Sequence, residues 1–158
     1  MEIQYLKKLE QNKTIRNSKI EGVSEVVIKH VENRLNIKFP EVYKEYLYLA
    51  GEYNGGLIMF PGHSDLTMLS KQSQLEKLKQ QVSKANLKID RPFWAFTEMD
   101  SFEQFLFFYL DEDTIDPEVY GVTYRNETEY FVYNLEKKFS KYIEDLVDRS
   151  ILYAERGY

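Results

Sequence analysis

The feature that most constrains the fold of this chain is the segment IKFPEVYKEYLYLAGEYNGG, residues 37–56, which has a clear helix start and a clear helix stop. Pro40 suits the first turn because its missing N–H would have no intrahelical partner there, and Glu41 places a negative charge at the positive end. The NGG triplet at 54–56 can adopt the left-handed conformations that end helices. Apolar residues recur between these signals at helical spacing: Val42, Tyr43, Tyr46, Leu47 and Ala50. The pattern predicts a helix, followed at 57–60 by a short buried strand, LIMF, which a Pro-Gly pair ends.

Residues 1–22 predict a short helix and a polar connector, and an amphipathic helix is predicted next at 23–35. Gly22 supplies a turn before this helix, Ser24 is its expected N-cap and Asn36 its expected end. The apolar stripe consists of Val23, Val26, Val27, Val31 and Leu35. Steps of three and four residues predict that this stripe faces the core.

Two more helices are predicted downstream. Residues 73–86, SQLEKLKQQVSKAN, place apolar side chains on one side and lysines on the other. Asn134 is the expected cap of a last helix at 135–147. The apolar stripe of that helix is Leu135, Phe139, Tyr142, Ile143, Leu146 and Val147.

Four segments between these helices predict strands. They are FWAF at 93–96, FEQFLFFYL at 102–110, EVYGVTY at 118–124 and EYFVYN at 129–134. The second also fits a helix, but five aromatic residues in nine favour a buried strand. The third and fourth, joined by RNET, predict a β-hairpin. Helices at the ends and consecutive strands between them predict an α+β fold with a mixed, mainly antiparallel sheet backed by helices.

A chain of 158 residues is long enough to bury a sizeable core, and we expect a single compact domain. Residues 23–158 are expected to form it, preceded by the helix and connector of residues 1–22. The absence of cysteine excludes disulfides and thiolate metal sites and fits a reducing compartment. Neither a signal-peptide core nor a stretch of roughly 18 apolar residues stands out, so we expect a cytoplasmic protein with no membrane partner.

The residue types that catalysis needs do not form a recognisable site. His30 lies in the middle of a predicted helix, next to its apolar stripe. His63 neighbours Ser64 and Asp65 in a turn, but the members of a catalytic triad normally come from distant segments. The glycine pair at 55–56 precedes a strand and so offers no phosphate site at a helix N-terminus. We expect no enzymatic activity and no cofactor.

The acidic run DEDTIDPE, residues 111–118, does not match a calcium loop. Counted from Asp111, the fifth, sixth and twelfth positions are Ile115, Asp116 and Val122. An EF-hand loop needs an oxygen ligand, a glycine and a glutamate at these positions. We therefore expect no metal site. The run predicts either a solvated turn or an acidic contact surface for a basic partner.

The charge balance favours a basic protein partner. The chain has 26 acidic and 21 basic residues and a net charge of −5. This argues against nucleic acid, whose phosphates require clustered Lys and Arg, whereas an acidic face speeds the encounter with a basic protein. Tyr120 and Tyr124 are candidate aromatic anchors. The expected contact residues are Glu98, Asp100, Glu103, Tyr109, Asp111, Glu112, Asp113, Asp116 and Glu118.

Three motifs, in this order, resemble the SUKH superfamily, which includes the SMI/KNR-type proteins. The first motif runs from Glu32 to the NGG triplet at 54–56. The second is DPEVYGVTY at 116–124, and the third is NLEKKFSKYIEDLV at 134–147. The resemblance spans roughly residues 20–147, with TEMDSFEQF at 97–105 in place of a turn rich in glycine and aspartate. The first motif comprises Glu32, Leu35, Phe39, Pro40, Glu41, Tyr43 and the NGG triplet.

The resemblance implies a compact α+β domain that binds protein and carries no catalytic residues. Bacterial members of the superfamily are immunity proteins that occlude polymorphic toxins, often nucleases, in the cytoplasm. The expected partner is therefore a cognate protein toxin of basic character. The alternative is a regulatory interaction module similar to fungal cell-wall regulators. An enzyme would require a pocket with converging polar groups.

Overall fold

The computed structural model describes residues 1–58 and 62–157, and all statements below concern these residues. The helices are α1 (Lys7–Gln11), α2 (Glu25–Leu35), α3 (Glu41–Ala50), α4 (Leu66–Leu69), α5 (Gln72–Lys84) and α6 (Phe139–Glu155). The strands are β1 (Thr14–Ile15), β2 (Ser18–Lys19), β3 (Phe93–Met99), β4 (Gln104–Tyr109), β5 (Glu118–Asn126) and β6 (Glu129–Lys138). β1 and β2 form a small hairpin, and β3 to β6 form an antiparallel sheet in sequence order. The predicted α+β class is confirmed.

The N-terminal segment is tied to α3 by one buried carboxylate. Glu45 accepts hydrogen bonds from the backbone N–H groups of Gln4, Tyr5 and Leu6, each at 3.0 Å. Three apolar side chains of the segment join the core: Ile3, Leu6 and Leu9. The predicted short helix is present as α1, but the predicted polar connector is wrong, since it contains the β1–β2 hairpin.

Both predicted ends of α2 are confirmed. The Ser24 hydroxyl accepts a hydrogen bond from the Val27 N–H at 3.3 Å, and Asn36 ends the helix with a left-handed φ of 52°. The predicted stripe is wrong at two positions, since Val26 is 78% exposed and Val27 41%. The inward face consists of Ile28, Val31, Glu32 and Leu35. Val23 precedes the helix, so its burial does not define the helical face.

The predicted apolar stripe of α3 is confirmed, because all five of its residues are buried. The helix ends at Ala50, before the NGG triplet, and Gly55 shapes the following turn with a φ of 64°. Leu57 and Ile58 do not lie in a strand, and the rest of the predicted LIMF strand falls outside the described residues.

Aromatic rings fill the space between α3, α6 and one face of the sheet. Tyr43 lies at the centre, in edge contact with Phe39, Phe108 and Phe139 at ring-centroid distances of 5.0, 5.1 and 5.5 Å. The Trp94 indole N–H donates to the Tyr43 hydroxyl at 2.8 Å, so this buried polar group has a partner. Burial raises the pKa of the Tyr43 hydroxyl well above its usual range. Aromatic side chains therefore form the part of the core that lies between α3, α6 and the sheet, and aliphatic side chains form the rest.

The four predicted strands of the sheet are confirmed, but the predicted cap of the last helix is wrong. Asn134 lies within β6, opposite Tyr120 of β5, and the strand continues to Lys138 before α6 begins. Cross-strand pairing with β5 therefore overrides the local capping preference of asparagine. Asp116 supplies the contact at the start of α6, since its carboxylate accepts a hydrogen bond from the Ser140 N–H at 2.9 Å.

The antiparallel order places the loops of the sheet at two opposite ends. The β3–β4 turn and the β5–β6 turn share one end, and the β4–β5 loop at 110–117 lies at the other. β4 has six residues, so the two ends are about 20 Å apart at roughly 3.3 Å per residue. No helix of the described chain is long and apolar enough to cross a membrane.

Candidate functional site

Several of the predicted contact residues meet around one arginine at the β4–β5 end of the sheet. The Arg91 guanidinium lies 3.9 Å from the centre of the Tyr109 ring. Its Nη2 lies 2.7 Å from the Asp111 carboxylate and 3.2 Å from that of Glu112. We call this region the β4–β5 surface and define it by Arg91, Tyr109, Asp111, Glu112, Asp113, Glu118 and Tyr120.

The Arg91–Asp111 pair has two-point geometry. Besides the Nη2 contact, Arg91 Nε lies 3.1 Å from Asp111 Oδ2. The hydrogen bonds from Arg91 hold the pKa of the Asp111 carboxyl below its usual range. The pair orders the β4–β5 loop by joining it to Arg91, two residues before β3. Because the pair faces water, it contributes little to the stability of the fold.

The two tyrosines of the β4–β5 surface pack against a buried side chain of the sheet. Tyr109 and Tyr120 contact each other at a centroid distance of 5.0 Å, and both contact the buried Phe107. The Tyr120 hydroxyl donates a long hydrogen bond of 3.4 Å to the Glu118 carboxylate. Desolvation raises the pKa of both tyrosine hydroxyls. The two rings are thus held in place by Phe107 and remain partly exposed to solvent.

The β4–β5 loop is anchored to the N-termini of two helices. The Ile115 carbonyl accepts a hydrogen bond from the Val42 N–H of α3 at 3.2 Å, and the Pro117 carbonyl accepts one from the Phe139 N–H of α6 at 2.8 Å. The Asp116 carboxylate binds both the N–H and the hydroxyl of Ser140. Asp116 therefore holds α6 in place, while the anchored loop presents its neighbours to solvent.

Three of the predicted contact residues lie away from the β4–β5 surface. Glu98 is 3% exposed, and its carboxylate accepts a hydrogen bond from the Phe102 N–H at 3.0 Å, so it does not contribute to the exposed face. Asp100 and Glu103 belong to the β3–β4 turn at the opposite end of the sheet. The nine predicted residues thus do not form one continuous face.

Arg91 is the residue of this surface that the sequence did not indicate. It precedes Asp111 by 20 positions, and in sequence it marks only a chain break beside Pro92. The contact arises because antiparallel pairing brings Phe93, at the start of β3, opposite Tyr109, at the end of β4. No local pattern in the sequence contains that information.

The residues considered for catalysis are not arranged as a triad. His63 Nδ1 lies 3.7 Å from Asp65, while the Ser64 hydroxyl accepts a hydrogen bond from the Asn54 amide at 3.0 Å. Ser64 is buried, so its hydroxyl does not face solvent. Within the described chain, no group of three or more His, Asp or Glu side chains is placed to hold a metal ion.

Residues 22–145 match a family model described as the SMI1 / KNR4 family (SUKH-1). The match covers well over half of the 158 residues. The chain belongs to the SUKH-1 family. No curated protein and no solved structure matches it. The resemblance drawn from the sequence motifs is therefore confirmed at the level of the family.

The SUKH-1 motif around Glu32 has a structural role in this chain. The Glu32 carboxylate is 5% exposed and accepts a hydrogen bond from the Phe39 N–H at 2.7 Å. Pro40, the next residue, is the N-cap of α3. The glutamate and the Phe-Pro step thus fix the turn between α2 and α3. The contact made by Glu32 therefore stabilises the fold of this turn.

Proposed function

We propose that this SUKH-1 chain is a non-enzymatic immunity protein that binds and neutralises a cognate protein toxin in the bacterial cytoplasm. Membership in the family supports a protein-binding role. The observation that carries the proposal is the β4–β5 surface, where fixed tyrosine rings adjoin the exposed carboxylates of Asp111, Glu112 and Asp113.

Such a surface suits a basic toxin. Aromatic residues with little side-chain freedom provide much of the binding energy at protein interfaces, and exposed charges mainly raise the association rate. Tyr109 and Tyr120 are the proposed anchors, and the three acidic residues are the proposed steering charges. A nuclease toxin would have the complementary charge, because enzymes that bind phosphate are rich in Lys and Arg.

The boundaries of the family match bear on domain organisation. We propose that residues 23–158 form the SUKH-1 domain and that residues 1–22 are an addition packed on it. The three hydrogen bonds from the amides of residues 4–6 to the Glu45 carboxylate support this arrangement.

Co-expression tests the proposal. The tagged protein is used to capture partners from its native host, and each stoichiometric partner is then expressed alone and together with this chain. We expect one partner to arrest growth alone and to be harmless when both are made. Continued growth arrest despite complex formation would contradict the proposal. Housekeeping partners and a growth defect on deletion, without any toxin, would support the regulatory module instead.

A further inference from the structure

A cleft of about 300 Å³ adjoins the β4–β5 surface, between the start of α3 and the β4–β5 loop. One part of its lining is acidic and the other is apolar. Glu41, Asp111 and Asp113 provide the carboxylates. Pro40, Leu110 and Ile115 provide the apolar wall.

Carboxylates outnumber cations among the lining residues of the cleft, although two of the three carboxylates have a cationic partner. Glu41 is paired with Lys44 at 2.7 Å and Asp111 with Arg91 at 2.7 Å. No ion pair or side-chain hydrogen bond of Asp113 is found in the described part of the chain. The single cation among the lining residues is Lys38. Asp113 is thus an exposed carboxylate that is free to bind a cation from outside.

The contacts of Arg91 show that this loop can bind a guanidinium group. Its guanidinium makes two-point contacts with Asp111 and lies against the Tyr109 ring at 3.9 Å. Both Asp111 and Tyr109 also line the cleft. A carboxylate offers about four acceptor positions, and Arg91 uses three contacts, so Asp111 can accept a further donor.

The apolar wall suits the stem of a long cationic side chain. Ile115 is 50% exposed, yet its carbonyl is fixed by the hydrogen bond to the Val42 N–H. Arg and Lys side chains pack their methylene stems on apolar surface and keep the charged head on polar groups. A planar guanidinium binds paired carboxylates more specifically than an ammonium does.

We propose that this cleft binds an arginine side chain on the surface of the toxin, with its stem on Ile115 and its guanidinium at Asp113 and Asp111. This inference rests on the proposed function, since it specifies the partner chemistry of the same surface. Lys38 opposes binding because it places a like charge at the cleft.

The first test needs no toxin. N-acetylarginine amide is titrated into the ¹⁵N-labelled protein, with N-acetylcitrulline amide as the uncharged control. Saturable shifts confined to the amides of residues 38–41 and 110–115, seen with arginine, absent with citrulline and lost in Asp113→Asn, support the inference. Equal shifts with both ligands, or no shifts in these segments, overturn it. Asn is tolerated at position 113, where φ is 46°.

The second test uses the purified complex with the captured toxin. Asp113→Asn is expected to raise Kd roughly 5- to 10-fold and Lys38→Met to lower it roughly 2- to 5-fold, as pairing and repulsion at one point require. Glu127→Gln and Lys79→Met are matched controls, with the same charge changes at exposed positions outside the cleft. Effects of opposite sign at the cleft, absent in the controls, would not arise from a general loss of structure.

The two tests separate this inference from the proposed function. If the toxin is neutralised and the cleft variants leave Kd unchanged, the arginine cleft is wrong and the immunity role stands. If arginine binds at the cleft but no captured partner is toxic, the proposed function is wrong, while the cleft is still a site that binds arginine.

Discussion

Two carboxylates of the helical N-terminal half and two of the β4–β5 loop have opposite surroundings. Glu32 and Glu45 are each 5% exposed, and they accept hydrogen bonds from backbone N–H groups. Asp111 and Glu112 face water and pair with Arg91. The same chemical group therefore fixes the chain in one region and remains available to a partner in the other.

The physical reason is the cost of desolvation. A buried carboxylate is tolerated only where hydrogen-bond donors replace the water it has lost. Glu45 has three such donors, all from backbone that needs an acceptor. An exposed carboxylate keeps its water, so its ion pair adds little to stability but its charge acts on approaching molecules.

The largest effect is expected at Glu45. Glu45→Ala leaves three backbone N–H groups without their acceptor and should lower the free energy of unfolding by about 3 kcal/mol. Urea unfolding measures this change. Glu45→Gln is the matched control: its carbonyl can replace Oε1, which binds two amides, so it should lose roughly half as much. Equal stability of Glu45→Ala and the wild type would show that these hydrogen bonds do not hold the N-terminal segment.

Glu32 should be next in size. Glu32→Ala removes the acceptor of the Phe39 N–H and should cost about 2 kcal/mol. The midpoint of urea unfolding gives the value. Glu25→Ala, an exposed position on the same helix, provides the comparison and should cost much less. A similar loss in both variants would contradict the structural role assigned to the Glu32 motif.

Neutralising the exposed acids should change stability only slightly and slow binding. The variant Asp111→Asn, Glu112→Gln, Asp113→Asn should associate with the toxin roughly 3- to 10-fold more slowly at low salt, because steering charge is lost. Stopped-flow measurements at two salt concentrations test this, since high salt should reduce the difference.

The control for this triple variant lies at the opposite end of the sheet. Glu103→Gln, Glu127→Gln and Glu129→Gln change the net charge equally. Glu103 and Glu127 lie in the β3–β4 and β5–β6 turns, and Glu129 is the first residue of β6. We expect a smaller change in association rate. Equal slowing by both triple variants would mean that overall charge, not the β4–β5 surface, guides the encounter.

The smallest effect concerns the protonation of Asp111. Its pKa is lowered in the folded state by Arg91, so the pair stabilises the fold above roughly pH 4 and is lost as the pH falls below that value. Arg91→Gln should raise the pKa of the Asp111 carboxyl toward its usual value, as followed by carboxyl ¹³C NMR. Lys137→Gln should instead raise the pKa of the Asp145 carboxyl, which Lys137 lowers, and leave the pKa of Asp111 unchanged. A low Asp111 pKa in the absence of Arg91 would contradict this account.

The predictions that succeeded depend on short-range pattern. The stripe of α3 and the start signal at Pro40 required only helical spacing and local sterics. The error at Val26 and Val27 came from including Val23 in the periodicity of a helix that begins two residues later. The error at Asn134 came from a capping preference that strand pairing overrode.

The predicted contact surface shows the same limit. The sequence indicated the acidic run and Tyr109, but it grouped Asp100 and Glu103 with residues at the other end of β4. It also treated Glu98 as exposed, although alternation places its side chain on the same face as the buried Phe105. Sequence separation does not report which end of a strand a residue occupies once the strands pair.

The sequence by itself determined the family, the α+β class and most helices and strands, because these follow from motifs, spacing and turn residues that act over a few positions. Only the tertiary structure decided that Arg91 meets Asp111, that Glu45 holds residues 4–6, and that the acidic residues divide between two ends of the sheet. These contacts join positions 20 to 41 residues apart, and their free energy exists only after the strands and helices have packed.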